Sequence, residues 1–345
     1  MIFPKVSFEE TLGEEVVSAG RCVGCAACIV SCPFNCLDYV EEKPVEVVEC
    51  QVCGICPQVC PRYRMSWPAV EEFVFGRERK PREEFGVCRR IAVARAKDRN
   101  VLRAGQDGGV VTALLLFALE EGLINGAAVS GVDAKRLFYP VPKLATTTRE
   151  ILEAAGTRYS YSPNLLALRE GVKLKKRSLA FVGTPCQVQA LRRMQMVPLK
   201  KYAEALSFAV GLMCTEAFTY EGLVEGQIRR ELGVDLGDIR KVNIKAKVLV
   251  TTKSGEEKII SLKDAKRHTR KACGSCTDFS AEFADISTGG VGLKGWTFTI
   301  LRTARGEEVF ESAERKGVLE TKPVEQEKMA LDTMIKLSRR KRKVP

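Results

Sequence analysis

Fourteen cysteines stand in this 345-residue chain, and eight of them fall into two copies of one spacing. Cys22, Cys25, Cys28 and Cys32 are followed by Pro33; Cys50, Cys53, Cys56 and Cys60 are followed by Pro61. In runs of this kind three thiolates hold one 4Fe-4S cube and the fourth crosses to the other cube. Cys22, Cys25, Cys28 and Cys60 are therefore assigned to one cluster, and Cys50, Cys53, Cys56 and Cys32 to the second. The short intervals suit tight turns whose sulfurs converge, and each proline keeps the chain from running on as helix past the fourth ligand. A disulfide scaffold or a pair of zinc sites would be competing uses of so much cysteine, but a chain this long needs no staples and zinc sites do not use a four-cysteine run twice. The chemistry that this spacing supports is the transfer of single electrons.

Six cysteines remain. Cys186 stands in Gly183-Thr184-Pro185-Cys186-Gln187, between an apolar strand over 178–182 and a helix over 188–194. Backbone amides at such a turn stabilise a thiolate. Cys214 closes a strand over 206–213, and Cys273-Gly274-Ser275-Cys276 supplies a further pair. By itself that pair fits a redox-active motif or half a zinc site; counted with Cys186 and Cys214, the four are read as ligands of a third 4Fe-4S cluster. Cys36 is read as a small buried thiol, and Cys88 has no assigned role. A second chemical signal is Ala104-Gly105-Gln106-Asp107-Gly108-Gly109, just before an apolar helix over 110–121. Glycines there allow close backbone approach to a ligand, and first-turn amides favour an anion such as phosphate, although an ordinary tight turn has the same signature.

The elements that must position these residues alternate. Strands over 91–96, 127–132, 178–182, 206–213 and 297–303 are interleaved with helices over 110–121, 149–155, 164–170, 188–194 and 220–232, which predicts an α/β core. A hairpin is expected over 242–262 with its turn at 253–256, and a closing amphipathic helix over 323–338. Residues 1–66 form a small cysteine-rich domain and 67–86 an irregular linker. The catalytic body is divided into 87–200 and 201–310, and 311–345 is a carboxy-terminal helix and basic tail.

Composition narrows the function. The formal charge is +12, with a basic run of Lys336, Arg339, Arg340, Lys341, Arg342 and Lys343. The run is read first as a solvated face, with an acidic partner, an anionic ligand or lipid head groups as alternatives. No nucleic-acid motif accompanies it. The single histidine, His268, argues against histidine-rich metal sites and the usual hydrolase triads. The first 19 residues lack the apolar core of a leader, and the longest apolar run, 110–119, is half of a membrane crossing, so a cytoplasmic protein without a transmembrane span is expected, peripheral to the inner membrane face at most.

The two cysteine runs resemble a bacterial-type two-cluster ferredoxin. Beyond them, Gly108-Gly109-Val110-Val111-Thr112-Ala113, Gly183-Thr184-Pro185-Cys186-Gln187 and Lys271-Ala272-Cys273-Gly274-Ser275-Cys276-Thr277-Asp278-Phe279, followed by Ala284-Asp285-Ile286-Ser287, resemble the family of coenzyme F420 hydrogenase/dehydrogenase beta subunits over roughly residues 87–310. With the amino-terminal ferredoxin, the nearest resemblance within it is to F420H2 dehydrogenase input subunits. The resemblance implies one FAD, a cluster in the catalytic domain and reduced coenzyme F420 as hydride donor. It places flavin contacts near Gly108, Gly109, Thr112, Gly156, Thr157, Arg158, Tyr159, Thr184 and Lys271, with His268 beside an anionic group; each residue also has an ordinary turn or packing use. The family usually carries Ser-Gly-Gly where this chain has Asp107-Gly108-Gly109, which alters flavin phosphate or ribityl contacts. Flavin accepts hydride and releases single electrons, the conversion that a deazaflavin donor and iron-sulfur acceptors need. Implied partners are coenzyme F420 and either a quinone- or methanophenazine-reducing membrane complex or ferredoxin. Alternatives are the beta subunit of an F420-reducing hydrogenase or formate dehydrogenase, or an electron bridge without flavin.

Overall fold

A computed structural model describes residues 4–197, 199–244 and 247–343. Side chains alternate across the strands Arg90–Ala96, Leu179–Gly183, Leu206–Leu212 and Thr297–Leu301, as period-two geometry requires. Ala92, Ala94, Ala180, Val182, Phe208 and Val210 face one helical layer, built mainly from Val110–Glu120 and Ala304–Arg315. Phe181 and Ala209 face the other layer, with helices Leu165–Lys173 and Pro185–Met196, while Val93, Phe298 and Ile300 meet the carboxy-terminal helix Lys328–Arg342. Both faces are covered, which is why these strands read as nearly continuous apolar runs.

The strands form one mixed sheet among the described residues, in the order Leu319–Lys322, Arg90–Ala96, Thr297–Leu301, Ile286–Gly289, Leu206–Leu212, Leu179–Gly183, Gly126–Val132 and Pro140–Ala145. The Ile286–Gly289, Leu206–Leu212, Leu179–Gly183 and Gly126–Val132 strands are parallel. Thr297–Leu301 is antiparallel to both Ile286–Gly289 and Arg90–Ala96, so Arg90–Ala96 points the same way as the parallel set. The carboxyl ends of these strands therefore reach one edge of the sheet, where open α/β sheets place their ligands.

The α/β reading holds, and several boundaries move. Strands before and after residue 200 share the sheet, and position 310 lies inside the Ala304–Arg315 helix, so the catalytic body is one unit. The 242–262 hairpin has its turn at the expected place, but a third strand, Ile239–Ile244, joins Lys247–Thr252 and Glu257–Ser261. The segment expected as an irregular linker begins with a helix, Trp67–Phe75. Ser66 caps it by accepting from the Ala69 amide at 3.4 Å, Pro68 occupies the tolerant first turn, and Gly76 ends it at φ 65°. The tail is not a free solvated face. Its helix runs on to Arg342, Arg339 pairs with Glu84, Arg342 pairs with Glu282 at 2.9 Å, and the buried Lys341 donates to the Cys273 carbonyl at 3.4 Å. Those partners lie far away in sequence, so the charge run alone could not reveal them.

Residues 4–66 pack directly on the catalytic body. Val23, Ala27, Val30 and Val59 share a core with Leu168, Val188, Leu191 and Met194. The linker is pinned as well: Trp67 lies against Phe283 with ring centroids 4.9 Å apart, and Arg79 bonds both Glu71 and Glu282.

Glu282 is the buried knot of that contact. Burial and then Asp278 push its pKa up to about 7, against the pull of Arg342 and Arg79. Because the folded pKa exceeds the unfolded one, its stabilising contribution is complete below the ordinary carboxylate range and is lost as pH rises through about 7. Between pH 5 and 8 the loss is about 2–3 kcal/mol. Glu282→Gln should flatten that part of the urea-unfolding pH profile, and parallel profiles for the two proteins would contradict the assignment.

Candidate functional site

The two cysteine runs have the same backbone. Gly24 and Ala26 take φ of 69° and 63°; Val52 and Gly54, at the equivalent places of the second run, take 51° and 68°. Each pair leads into a single helical turn, Ala27–Ser31 or Ile55–Val59. Left-handed residues in such turns bring successive amides to one concave side, which suits an anionic group. Amides do approach sulfur: Gly24 N to Cys22 Sγ at 3.4 Å, Phe8 N to Cys50 Sγ at 3.4 Å and Cys36 N to Cys32 Sγ at 3.3 Å.

All fourteen thiols are free, so no disulfide uses them. Cys32, Cys50, Cys53 and Cys56 line one cavity with Phe8, Phe34 and Leu37. Cys60 stands instead beside Cys22 and Cys25 of the first run. Cys36 also borders the cavity, but its thiol donates to the Glu49 carbonyl at 3.3 Å. Cys214 has Cys273, Cys186 and Cys276 as charge neighbours. Its strand is paired with the one leading to Cys186, Gly211 opposite Gly183, which is how residues 28 positions apart meet.

Burial, followed by repulsion from neighbouring sulfurs, holds the Cys25, Cys28 and Cys214 thiols above their ordinary pKa, and burial pushes Cys60 up to about 11. Four adjoining buried sulfurs become thiolates together only around positive charge. The donor sets thus fit iron-sulfur cubes. Among the described residues, no group of three or more His, Cys, Asp or Glu side chains is placed so as to hold a metal ion.

Sequence reasoning missed the residues between the sets. Arg62, directly after Cys60-Pro61, is buried; Nε and one terminal nitrogen have no hydrogen-bond partner, and its charge faces Cys276, Cys186 and Cys60. Arg193 donates to the carbonyls of Cys60, Tyr63 and Pro57, at 2.6 Å for Tyr63 and 3.2 Å for Pro57. Arg270 donates to Val23 O at 2.8 Å, pairs with Glu42 at 3.0 Å and stacks over Tyr161, whose hydroxyl lies 3.7 Å from Cys186 Sγ. Only Arg62 carried a local signal, its place beside a ligand.

The proposed flavin contacts divide. Gly156, at φ 88°, lies close to the Ala104 carbonyl, so the segments 104–109 and 156–159 meet as expected. Tyr159 accepts from the Ile244 amide at 3.0 Å and has Asp107 as a charge neighbour. Across the same cleft Gln106 bonds Asn243, and Lys241 donates to Gly105 O at 3.1 Å. Asp107 takes φ 50°, and the bare Cα of Gly290 leaves room for its carboxylate. Thr112 is buried in the helix whose first turn follows Gly109 without a side-chain cap, and Thr157 is exposed. Ser160 Oγ is buried without a partner. Open first-turn amides, the Lys241 cation and an orphaned hydroxyl fit an anionic, hydrogen-bonding cofactor such as FAD.

Other assignments differ. Arg158 caps helix Thr148–Glu153, donating to the carbonyls of residues 153–156, and burial lowers its pKa to about 10. Thr184 turns its hydroxyl to Cys186 Sγ at 3.3 Å and Gln187, serving the cysteine set. Lys271 lies along Gly20 of the amino-terminal module, and His268 packs on Gly222. Gly108 is required by protein, since a Cβ there would sit 2.6 Å from the Ala94 carbonyl.

Comparison with known proteins decides the family. Residues 91–169 match the amino-terminal part, and 176–327 the carboxy-terminal part, of the coenzyme F420 hydrogenase/dehydrogenase beta subunit. The chain belongs to this family. The beta subunit of the coenzyme F420 hydrogenase of Methanococcus voltae is 38% identical over 75% of this chain and 92% of that one. An F420H2 dehydrogenase subunit of Methanosarcina mazei is 29% identical over 95% and 91%. In the solved F420-reducing [NiFe] hydrogenase complex from Methanosarcina barkeri, one chain superposes with a TM-score of 0.73 at 34% identity, covering 77% of this chain and 92% of that one. As a member of this family the chain is an F420-dependent oxidoreductase-type protein with a mixed α/β fold. Among its described residues, no helix is long and apolar enough to cross a membrane.

Gly108→Ala should cost about 1–3 kcal/mol, because backbone on both sides of the new methyl must give. An unchanged unfolding midpoint would mean that the 105–109 loop yields freely.

Proposed function

We propose that this chain is an F420H2-oxidising electron-input subunit that carries one FAD and three 4Fe-4S clusters and delivers electrons to a membrane complex reducing a quinone or methanophenazine, or to ferredoxin. One observation carries the reading: Cys186 of the catalytic body is a charge neighbour of Cys25, and Arg62 spans the gap, so the third cysteine set adjoins the first. The first adjoins the second through Cys28 and Cys56. Three donor sets that follow one another as charge neighbours suit a wire, whereas widely separated sets would not. A match over nearly the whole length of an F420H2 dehydrogenase subunit supports the input role above that of a hydrogenase or formate dehydrogenase beta subunit.

When bound, FAD would turn a hydride into single electrons that the cubes accept. The residues around the cleft bind and orient. Gly105–Gly109 and the first turn of Val110–Glu120 present amides, Lys241 presents positive charge, and Tyr159 and Asp107 flank them. Cys186, Cys214, Cys273 and Cys276 would hold a cube that takes up single electrons, with Thr184 and Tyr161 directed at Cys186. Arg62 and Arg270 place positive charge at the junction of the first and third sets, easing the passage of an electron through buried surroundings.

Anaerobically prepared protein should contain about twelve iron atoms, with one FAD, per chain. It should bleach when F420H2 is added with a one-electron dye. Clusters without flavin or F420H2 oxidation would make it an electron bridge, and a Cys273→Ser protein with full iron and turnover would remove the third cluster. Arg62→Met should lower the reduction potentials of the clusters at the junction, read by redox titration with electron paramagnetic resonance, and leave the Cys32/Cys50/Cys53/Cys56 signal in place. Unmoved potentials with full iron content would show that Arg62 is only a packing residue.

A further inference from the structure

Large exposed apolar side chains concentrate in one short stretch. Phe34, Val40, Val45, Val47, Val48 and Val52 all lie exposed there, with Val47 and Val48 more than half accessible at 56% and 58%. The fold makes them one surface. Asp38 pairs with Val45 and Val40 with Lys43, so these four share the outer face of the hairpin Leu37–Val40 and Lys43–Glu46, while Leu37 turns inward. The amides of Val47 and Val48 both return to Cys36 O, at 2.9 and 3.4 Å, which folds that turn against the cavity of the second cysteine set. Phe34 lines the cavity mouth, and Val52 lies between Cys50 and Cys53.

The surrounding charge is opposite to that of the whole chain. Within residues 34–53 there are Asp38, Glu41, Glu42, Glu46 and Glu49 against Lys43 alone, although the chain carries +12. Glu42 is taken up by Arg270, and the other four acids are exposed. An acidic rim is repelled by an anionic bilayer, and a contiguous exposed apolar patch at the end of a set of redox donors marks a protein contact.

We propose that this patch is the electron-exit surface, and that it docks a one-electron redox protein with an apolar centre and a basic rim. The proposal rests on the wire reading above, because the second cysteine set is its far end. Valines supply the desolvated centre and Asp38, Glu41 and Glu49 the steering charge. The transfer balances as one electron leaving a reduced cube for one oxidised acceptor, with no proton or bond moved.

The test uses cytochrome c, a basic-rimmed one-electron acceptor, with cluster-loaded protein reduced by dithionite and desalted, so that F420H2 activity is not needed. Binding is read by calorimetry and electron transfer by stopped flow, at low and high salt. Val47→Ser/Val48→Ser and, separately, Asp38→Asn/Glu41→Gln/Glu49→Gln should each weaken binding and slow transfer about tenfold, the second with a flatter salt dependence. Ile259→Glu, an exposed site on the small sheet, should change neither. Iron content and dye reduction should stay at wild-type values. Unchanged binding in both patch variants overturns the proposal, as does an equal loss with Ile259→Glu. Dissolution of a self-associated form by Val47→Ser/Val48→Ser also overturns it, since the patch would then face a second copy. Failure to oxidise F420H2 in wild type would defeat the input-subunit reading and leave the docking result standing.

Discussion

The grip of Arg193 on the turn at Cys60 is the contact on which the rest of the arrangement depends. Arg193 lies near the end of helix Pro185–Met196 and donates to three carbonyls around Cys60. Cys186 lies in the first turn of the same helix. One rigid element therefore fixes where the third cysteine set stands relative to the first. Taking a guanidinium out of water for this purpose is costly, and burial lowers its pKa, so the three carbonyl acceptors are what make the position tolerable.

Around that helix, each interface is closed by a buried ion or hydrogen bond as well as by apolar packing. Arg270 ties the Cys273 turn to Val23 and Glu42 in the amino-terminal module. Glu282 gathers Arg79 from the linker and Arg342 from the tail, and Arg302 donates to Phe85 and Val87 carbonyls at 2.9 Å. Such pairs add little net stability once desolvation is counted, but breaking one leaves an uncompensated charge, so they hold register strictly. Fixed register between the cysteine sets is what these internal arginines supply in a basic chain.

The cleft at Gly105–Gly109 is built on a different principle. Its parts come from the loops after helices Arg99–Ala104 and Thr148–Glu153 and from the small sheet, in contact through Gln106 with Asn243 and Lys241 with Gly105. These are polar contacts between a loop and the strand Ile239–Ile244, cheaper to open than the ion-knotted junction. Such closure leaves the cleft freer to open than the junction, which the buried ion pairs hold.

The sequence by itself determined the local geometry of the cysteine runs. The spacings of the two cysteine runs set their turns, because three residues per interval leave few backbone paths and both runs adopt the same left-handed positions at Gly24/Ala26 and Val52/Gly54. Short, nearly continuous apolar runs likewise set most of the central strands, and the motifs around Gly108, Cys186 and Cys273 pointed to the family. Tertiary structure decided what depends on distant partners. Arg62 became a junction residue only when Cys186 and Cys276 arrived beside it, and the basic tail docked only because Glu84, Glu282 and the Cys273 carbonyl were waiting. Thr184 and Lys271 carry hydrogen-bonding groups that suit a flavin, yet neighbours turned one to sulfur and the other to Gly20. Short-range geometry is written in the order of residues; electrostatic partnership is fixed by packing, and packing is a property of the whole chain.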